Sequence, residues 1–340
     1  MVMIRPSPSS SLPALLPAVL LALLLITAGC TLPGQQKTTL NVVVAGSMIG
    51  PSTTVAAEYM ALHPDIDVQI EGHGSIQAVR QVTDLHRPFD LVVVADADLV
   101  PDLMGGSTPS ATSYTTFATN EMVLAFTNQS RYADQVTTEN WPTLLSNPDV
   151  RIGISDPKLD ASGYRALMLM MLAEGYYRDA GLFDTLAGDH FDPPVHQVRN
   201  GTNRTITLAP VLKTDGRLVV RDSSLFLLSL LEAGGIDYAF EYKSVADEHH
   251  LRSIALPAAI NLGSQEALDQ YSTVRVDPGV QRFSVIGAER TGTPIVYAVT
   301  VPSTAPHPAD AKQFAAALIN ATGEGRQNWP APLSPMEHAL

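Results

Sequence analysis

Four stretches of the chain place glycine or serine where a helical pattern begins after a strand or turn: Gly46-Ser47, Gly74-Ser75, Ser162-Gly163 and Ser223-Ser224. The first turn of a helix has backbone N–H groups without partners and the positive end of the helix dipole, so each start can hold an anion. The same residue types also serve as ordinary N-caps, and a single such start would signify nothing more. Four of them gain meaning if they converge. Ligands of open α/β sheets sit outside the carboxyl ends of the strands, so two such sheets facing one another would aim several starts at one cleft. The chemistry offered is capture of an anion by neutral donors, with no bond made or broken.

Other side chains suggest chemistry and are weaker. Asp160 precedes Ala161-Ser162 and reads as a turn or N-cap residue. Glu248-His249-His250 suggests a metal, but adjacent histidines share a helix face poorly, and a polar surface is expected there. His73 lies in the Gly72–Ser75 turn, within reach of a cleft. Met168, Met170 and Met171 lie in a helix that is apolar nearly all round, the mark of a core helix and not of a thioether metal site. No GxSxG elbow is present.

The elements that must position these residues follow from hydrophobic periodicity. "LNVVVA" (40–45) reads as a buried strand, followed by a helix with Val55, Tyr59 and Leu62 on one face. "VQI" (68–70) precedes a helix with Ile76, Val79, Val82 and Leu85 in phase, and "LVVVA" (91–95) is another buried strand. This β-α-β-α-β order predicts a parallel sheet covered by helices. A second α/β unit follows: "RIGIS" (151–155), a helix from Gly163, "RLVV" (217–220), a helix from Leu225 and "IDYAF" (236–240). "FATNEMVLAFT" (117–127) is continuous enough to pass from one unit to the other. "TPIVYAVTVP" (293–302) and a helix from about Pro308 to Ile319 are assigned back to the first unit, giving two crossings and a hinge. The last residues lack periodicity and read as a loose tail.

Composition narrows the function. A chain of 340 residues, 45% hydrophobic and 16% charged, can build two cores. Its net charge of −13 disfavours nucleic acid as a partner, because phosphate binding needs clustered Lys and Arg. The single cysteine excludes internal disulfides and thiolate zinc sites. Cys30 ends a segment that runs from Arg5 through an apolar stretch, Leu12 to Ala28, to Ala28-Gly29-Cys30. This is the pattern of a secretory signal; an uncleaved membrane helix is the alternative. Four Asn-X-Ser/Thr triplets, at Asn128, Asn200, Asn203 and Asn320, fit export but arise often by chance.

Taken together, "AGSMIGP", "HPDIDVQIEGHGSIQAVRQVTDL", "FDLVVVADADL", "FATNEMVLAFT", "ISDPKLDASGYRALM", "LLEAGGIDYAFEYKSVADEH", "LPAAINLG" and "GTPIVYAVTVP" carry a specific resemblance. From residue 40 to about 322 the chain resembles the substrate-binding proteins of archaeal-type tungstate/molybdate ABC transporters. The ending "ITAGC" likewise resembles a lipoprotein signal, with Thr27 where leucine is usual. The resemblance implies an α/β, two-lobe periplasmic-binding-protein fold of type II, hinged on two crossover strands. It implies no enzyme activity and no cofactor, with tungstate or molybdate as ligand. The expected partners are an ABC permease and its ATPase, with the protein a monomer, exported and anchored at the outer face of the cytoplasmic membrane through lipid on Cys30. The expected division is 1–30 signal, 31–39 tether, 40–120 plus 290–325 lobe 1, 121–289 lobe 2 and 326–340 tail.

Carried over by position, the family's oxyanion contacts fall on Gly46, Ser47, Ser75, Asp160, Ala161, Ser162, Ser224 and Tyr242. In the archaeal branch the aspartate matching Asp160 ligates the metal centre together with a glutamate, giving six-coordination. Here that glutamate's position is Ser224, with Asp222 two residues earlier. Either Asp222 substitutes or the second carboxylate is absent, and an anion held tetrahedrally by donors is the expectation. Glu241 is also unusual for the family; alternation along a strand turns it away from Tyr242, and it is read as facing solvent. Two further readings stay open: an exported metal-dependent phosphohydrolase using Asp160, Asp222 and a histidine, and an oxyanion sensor of the same fold.

Overall fold

The computed structural model describes Met3, residues 37–279 and residues 289–340. The signal-like segment, Cys30 and most of the tether lie outside the described residues. Residues from Thr39 onward form one compact unit. Among the described residues no helix is long and apolar enough to cross a membrane.

The first part of the chain lays down β1 (Thr38–Ala45), β2 (Ile66–His73), β3 (Leu91–Val94) and β4 (Ser113–Thr119). Helices Ile49–Leu62 and Ser75–Thr83 connect the first three. All four residues of β3 are buried, as a strand covered on both faces requires. β1 pairs with β3 in parallel, Val43 opposite Val92. Val55 and Tyr59 are buried as their spacing predicts, and so are Ile76, Val79 and Val82. The last member of each stripe is not: Leu62 ends its helix and Leu85 lies beyond Thr83, and both are exposed.

The chain then leaves this sheet. After Asn120 and Glu121 it enters β5 (Met122–Phe126), so "FATNEMVLAFT" is two strands in two sheets and not one. Next come β6 (Ile152–Ser155), β7 (Val198–Asn200), β8 (Asn203–Thr207) and β9 (Leu218–Arg221). β10 (Tyr238–Tyr242), β11 (Arg252–Ala255), β12 (Val274–Asp277) and β13 (Arg290–Thr291) follow. The chain returns as β14 (Val296–Thr300), continues through helix Pro308–Gly323, and ends in β15 (Ala331–Ala339).

Among the described residues three sheets result, ordered β15-β4-β14-β3-β1-β2, β11-β5-β10-β6-β9 and β13-β12-β8-β7. The first carries one lobe and the second the other. In the second sheet β6 runs parallel to both β10 and β9. The outgoing and returning crossings lie side by side, with the Thr119 hydroxyl donating to the Ile295 carbonyl at 2.7 Å.

Two features were not anticipated. The small third sheet is built from short strands, and β7 is exposed along its whole length, so it carries no apolar alternation. The tail is also not loose: residues 331–339 form β15, antiparallel to β4 at the edge of the six-stranded sheet. Pro332 and Pro335 hide it from pattern reading, because proline suppresses a strand assignment. An edge strand tolerates proline, since an outward position has no N–H partner to lose. The register shifts between Pro332 and Met336, and the His338 ring stacks on Tyr114 with centroids 4.8 Å apart.

Candidate functional site

Ser47 lies in a single 3-10 turn after β1, and its Oγ is 2.8 Å from the Tyr297 hydroxyl. Tyr297 comes from the returning strand β14 and is fully buried. Asn120, in the outgoing crossing, donates through Nδ2 to the Tyr297 hydroxyl at 3.0 Å and to Ser244 Oγ at 2.8 Å. The turn after β1 is thereby tied to both crossings.

Ser75 begins its helix directly after β2 and Gly74. Its Oγ accepts the Ala95 N–H at 3.0 Å, which leaves its own proton to donate elsewhere. Gly74 is required by close approach: a Cβ there would stand 2.5 Å from the Leu159 carbonyl oxygen of the other lobe. Gln77 N–H donates to that same oxygen at 3.0 Å. Gly46 also faces the other lobe, where a Cβ would lie 3.5 Å from Ser224 Oγ.

Asp160 is the N-cap of helix Ala161–Tyr177. Its Oδ1 accepts the N–H groups of Ser162 and Ser75, each at 3.4 Å, and its Oδ2 accepts the Ser162 hydroxyl at 3.2 Å. The Ser224 N–H adds another bond, so helix starts from both lobes converge on one carboxylate. Burial pushes the Asp160 pKa up against the opposing pull of these donors. Ala161 is buried without a polar side chain, so it offers only backbone. Ser162 Oγ is also 2.5 Å from Ser155 Oγ.

Tyr242 ends β10, and its hydroxyl accepts from Arg165 at 2.8 Å. Burial holds its pKa well above the ordinary phenol value, so it remains a neutral donor. Gly46, Ser47, Ser75, Asp160, Ala161, Ser162, Ser224 and Tyr242 therefore all lie where the lobes meet, and all but the half-buried Gly46 are buried.

Asp222 is not brought in. It is exposed, and its charge acts on Asp156, raising that group's pKa alongside burial, the larger cause. Glu241 is the opposite correction: it is fully buried, not solvent-facing. Alternation does turn it away from Tyr242, but helix Ser224–Glu232 covers that face of β10, packing Leu227 and Leu231 near Ala239. Glu241 Oε1 accepts the Tyr242 N–H at 2.8 Å, while Oε2 is buried without a partner. Burial pushes its pKa up to about 8; the Tyr242 N–H opposes the rise, and the nearby charge of Asp160 adds to it.

Sequence reasoning also missed Tyr297, Asn120 and Arg165. The last had a signal, since Arg165 and Glu174 are the two charged residues in an otherwise apolar helix of 17 residues. His73 pairs with Glu71 at 2.7 Å, and His249 and His250 are exposed. Among the described residues one cluster has metal-ligand spacing, Asp184, Asp189 and His196; two of the three are exposed, and none belongs to the cluster around Asp160.

Residues 40–327 match the family described as bacterial extracellular solute-binding protein. The molybdate/tungstate-binding protein WtpA of Thermococcus kodakarensis is 38% identical over 327 residues, covering 91% of this chain and 88% of its own. Its counterpart in Pyrococcus abyssi is 37% identical, covering 89% and 88%. An uncharacterized solute-binding protein of Methanoculleus marisnigri is 39% identical, covering 90% and 88%. In fold, the chain is similar to the Azotobacter vinelandii periplasmic molybdate-binding protein, with a TM-score of 0.53 at 16% identity, covering 87% of this chain and 100% of that one.

Proposed function

The chain belongs to the bacterial extracellular solute-binding protein family, and from that premise we propose that it captures tungstate or molybdate between its lobes for an ABC permease and its ATPase. The observation that carries this reading is the convergence of helix starts from both lobes on the position of the Asp160 carboxylate. Donors so placed recognise an anion without needing a lysine or arginine at the ligand, which suits a protein of net charge −13. The WtpA relatives supply the identity of the anion. Charge-assisted hydrogen bonds contribute about 1.5–3 kcal/mol each. Six or so, less the cost of ordering and closure, would give an affinity in roughly the nanomolar range.

Glu241, reached from β10 and not from the Asp222 loop, is a further carboxyl close enough to Asp160 for the two charges to interact. Two carboxyl groups are an obstacle to sulfate or phosphate, whose central atoms take no further oxygen ligands under these conditions. Molybdenum and tungsten in their oxyanions accept additional oxygens, so the same pair becomes favourable for them. Asp160 and Glu241 thereby supply selection by chemistry in addition to cavity size. In this reading the pair stands in place of an anion held only by neutral donors.

The protein acts outside the cytoplasm, as its family does; anchoring through lipid on Cys30 and a monomeric state are parts of the same proposal. No bond of the oxyanion is cleaved, which sets this reading apart from a phosphohydrolase.

The test is thermal unfolding with sodium tungstate and sodium molybdate. A ligand that binds only the folded state, at about 100 times its Kd, should add about 2.7 kcal/mol. If neither anion shifts the transition while sulfate, phosphate or a divalent cation does, the assignment fails.

A further inference from the structure

The lobes are joined by a second set of contacts, beside the anion site and involving none of its donors to Asp160. Tyr164 and Arg165 project from helix Ala161–Tyr177 of one lobe toward Ala95 and Asp96, which follow β3 in the other. Arg165 NH1 donates to the Ala95 carbonyl at 2.6 Å, and NH2 lies 3.5 Å from Asp96 Oδ1. The Tyr164 hydroxyl donates to Asp96 Oδ2 in a short bond. The Arg165 and Asp96 side chains are only 2% and 8% exposed, so this pair is desolvated where the lobes meet.

Two further bonds connect the pair to the anion site. The NH1 that reaches Ala95 also donates to the Tyr242 hydroxyl at 2.8 Å. Ala95, held through its carbonyl, gives its N–H to Ser75 Oγ. Arg165 thus stands between site hydroxyls of opposite lobes, touching one directly and the other through a single intervening residue, Ala95. Its bond to Tyr242 lies within one lobe. Its bonds to Ala95 and Asp96 cross between lobes.

We infer that Arg165 is a positioning residue, anchored by Asp96, which makes closure of the lobes and the setting of the Tyr242 and Ser75 hydroxyls a single event. The inference rests on the oxyanion reading for what those hydroxyls bind, but the closure it describes belongs to the protein alone. When the lobes part, Arg165 and Asp96 are hydrated separately; when they meet, each loses that water and needs the other. Breaking one partner of a buried charge pair chiefly raises the dissociation rate, because the pair forms after encounter. The clasp makes and breaks in the ligand-free protein as well; the ligand enters while it is open and leaves only after it breaks.

The experiment compares wild type with Asp96→Asn, Tyr164→Phe and Arg165→Lys. Release and capture of sodium tungstate and sodium molybdate are followed by stopped-flow protein fluorescence, and the ligand-free proteins by small-angle scattering. Asp96→Asn and Arg165→Lys should each speed release by about thirtyfold or more while capture changes by less than about twofold. The double variant should release no faster than the worse single one, because both remove the same contact. Ligand-free Asp96→Asn should have a larger radius of gyration than wild type. If Arg165→Lys fails to fold, the two other variants carry the same readouts. Unchanged release in Asp96→Asn and Tyr164→Phe, or slowed capture with normal release, overturns the inference. If wild type binds neither anion, the oxyanion reading falls and scattering alone decides the clasp: equal radii of gyration overturn it.

Discussion

Glu241 carries an acid in a place where water does not reach, and its protonation should be visible in the whole protein's stability. Its pKa rises from 4.5 to about 8 on folding, chiefly through burial. Between those values the folded state holds a proton that the unfolded state has released, so stability falls as pH rises through that window. Glu241→Gln keeps the shape and removes the titration. The variant should flatten the decline in melting temperature between about pH 5 and pH 8, and a curve parallel to wild type would mean that Glu241 is charged throughout. The same variant tests the ligand chemistry: X-ray absorption of its tungstate complex should show fewer oxygen neighbours than wild type. The sequence showed the serines at helix starts because capping and anion binding use the same residue types. It could not show Glu241, because strand alternation tells which face a side chain takes and not what covers that face. Tyr297 escaped for a related reason: an aromatic residue on a strand reads as core until its hydroxyl is seen to meet Ser47.

At the scale of elements, β15 completes the six-stranded sheet by covering β4. Removing residues 331–340 would expose the backbone groups of β4 along the register that runs from Ser113 to Thr119. An uncovered edge is a template for pairing with another chain. The truncated protein should melt at lower temperature and form soluble aggregates detectable by light scattering, whereas a tail without structural role would leave both unchanged. The β-α-β core was legible because continuous apolar runs and helical stripes each have a period that chance rarely imitates. The third sheet was not, because β7 is Val-Arg-Asn and exposed, and β13 has only two residues. Strands this short are specified by their neighbours and not by their own pattern.

For the molecule as a whole, a net charge of −13 opposes the approach of a dianion, while the donors that bind it act only at contact. Salt screens the first effect far more than the second, because the Debye length shrinks to about 8 Å at physiological ionic strength. Capture of tungstate should therefore speed up as sodium chloride is raised from low to physiological concentration, with release nearly constant. A capture rate that falls with salt would mean that local positive charge steers the ligand despite the overall balance.

The order of strands in the six-stranded sheet has a consequence for how the protein comes into being. β1 lies near one side of the sheet, but its neighbour β3 pairs onward with β14, and the edge waits for β15. Nearly three hundred residues must emerge before the sheet that opens the chain can be closed. For a chain that crosses a membrane as an extended polypeptide, a lobe that folded early would jam the passage. Here the first lobe is kept unfinished by its own topology. Its sheet is completed only when β14 and β15, from the far end of the chain, are in place.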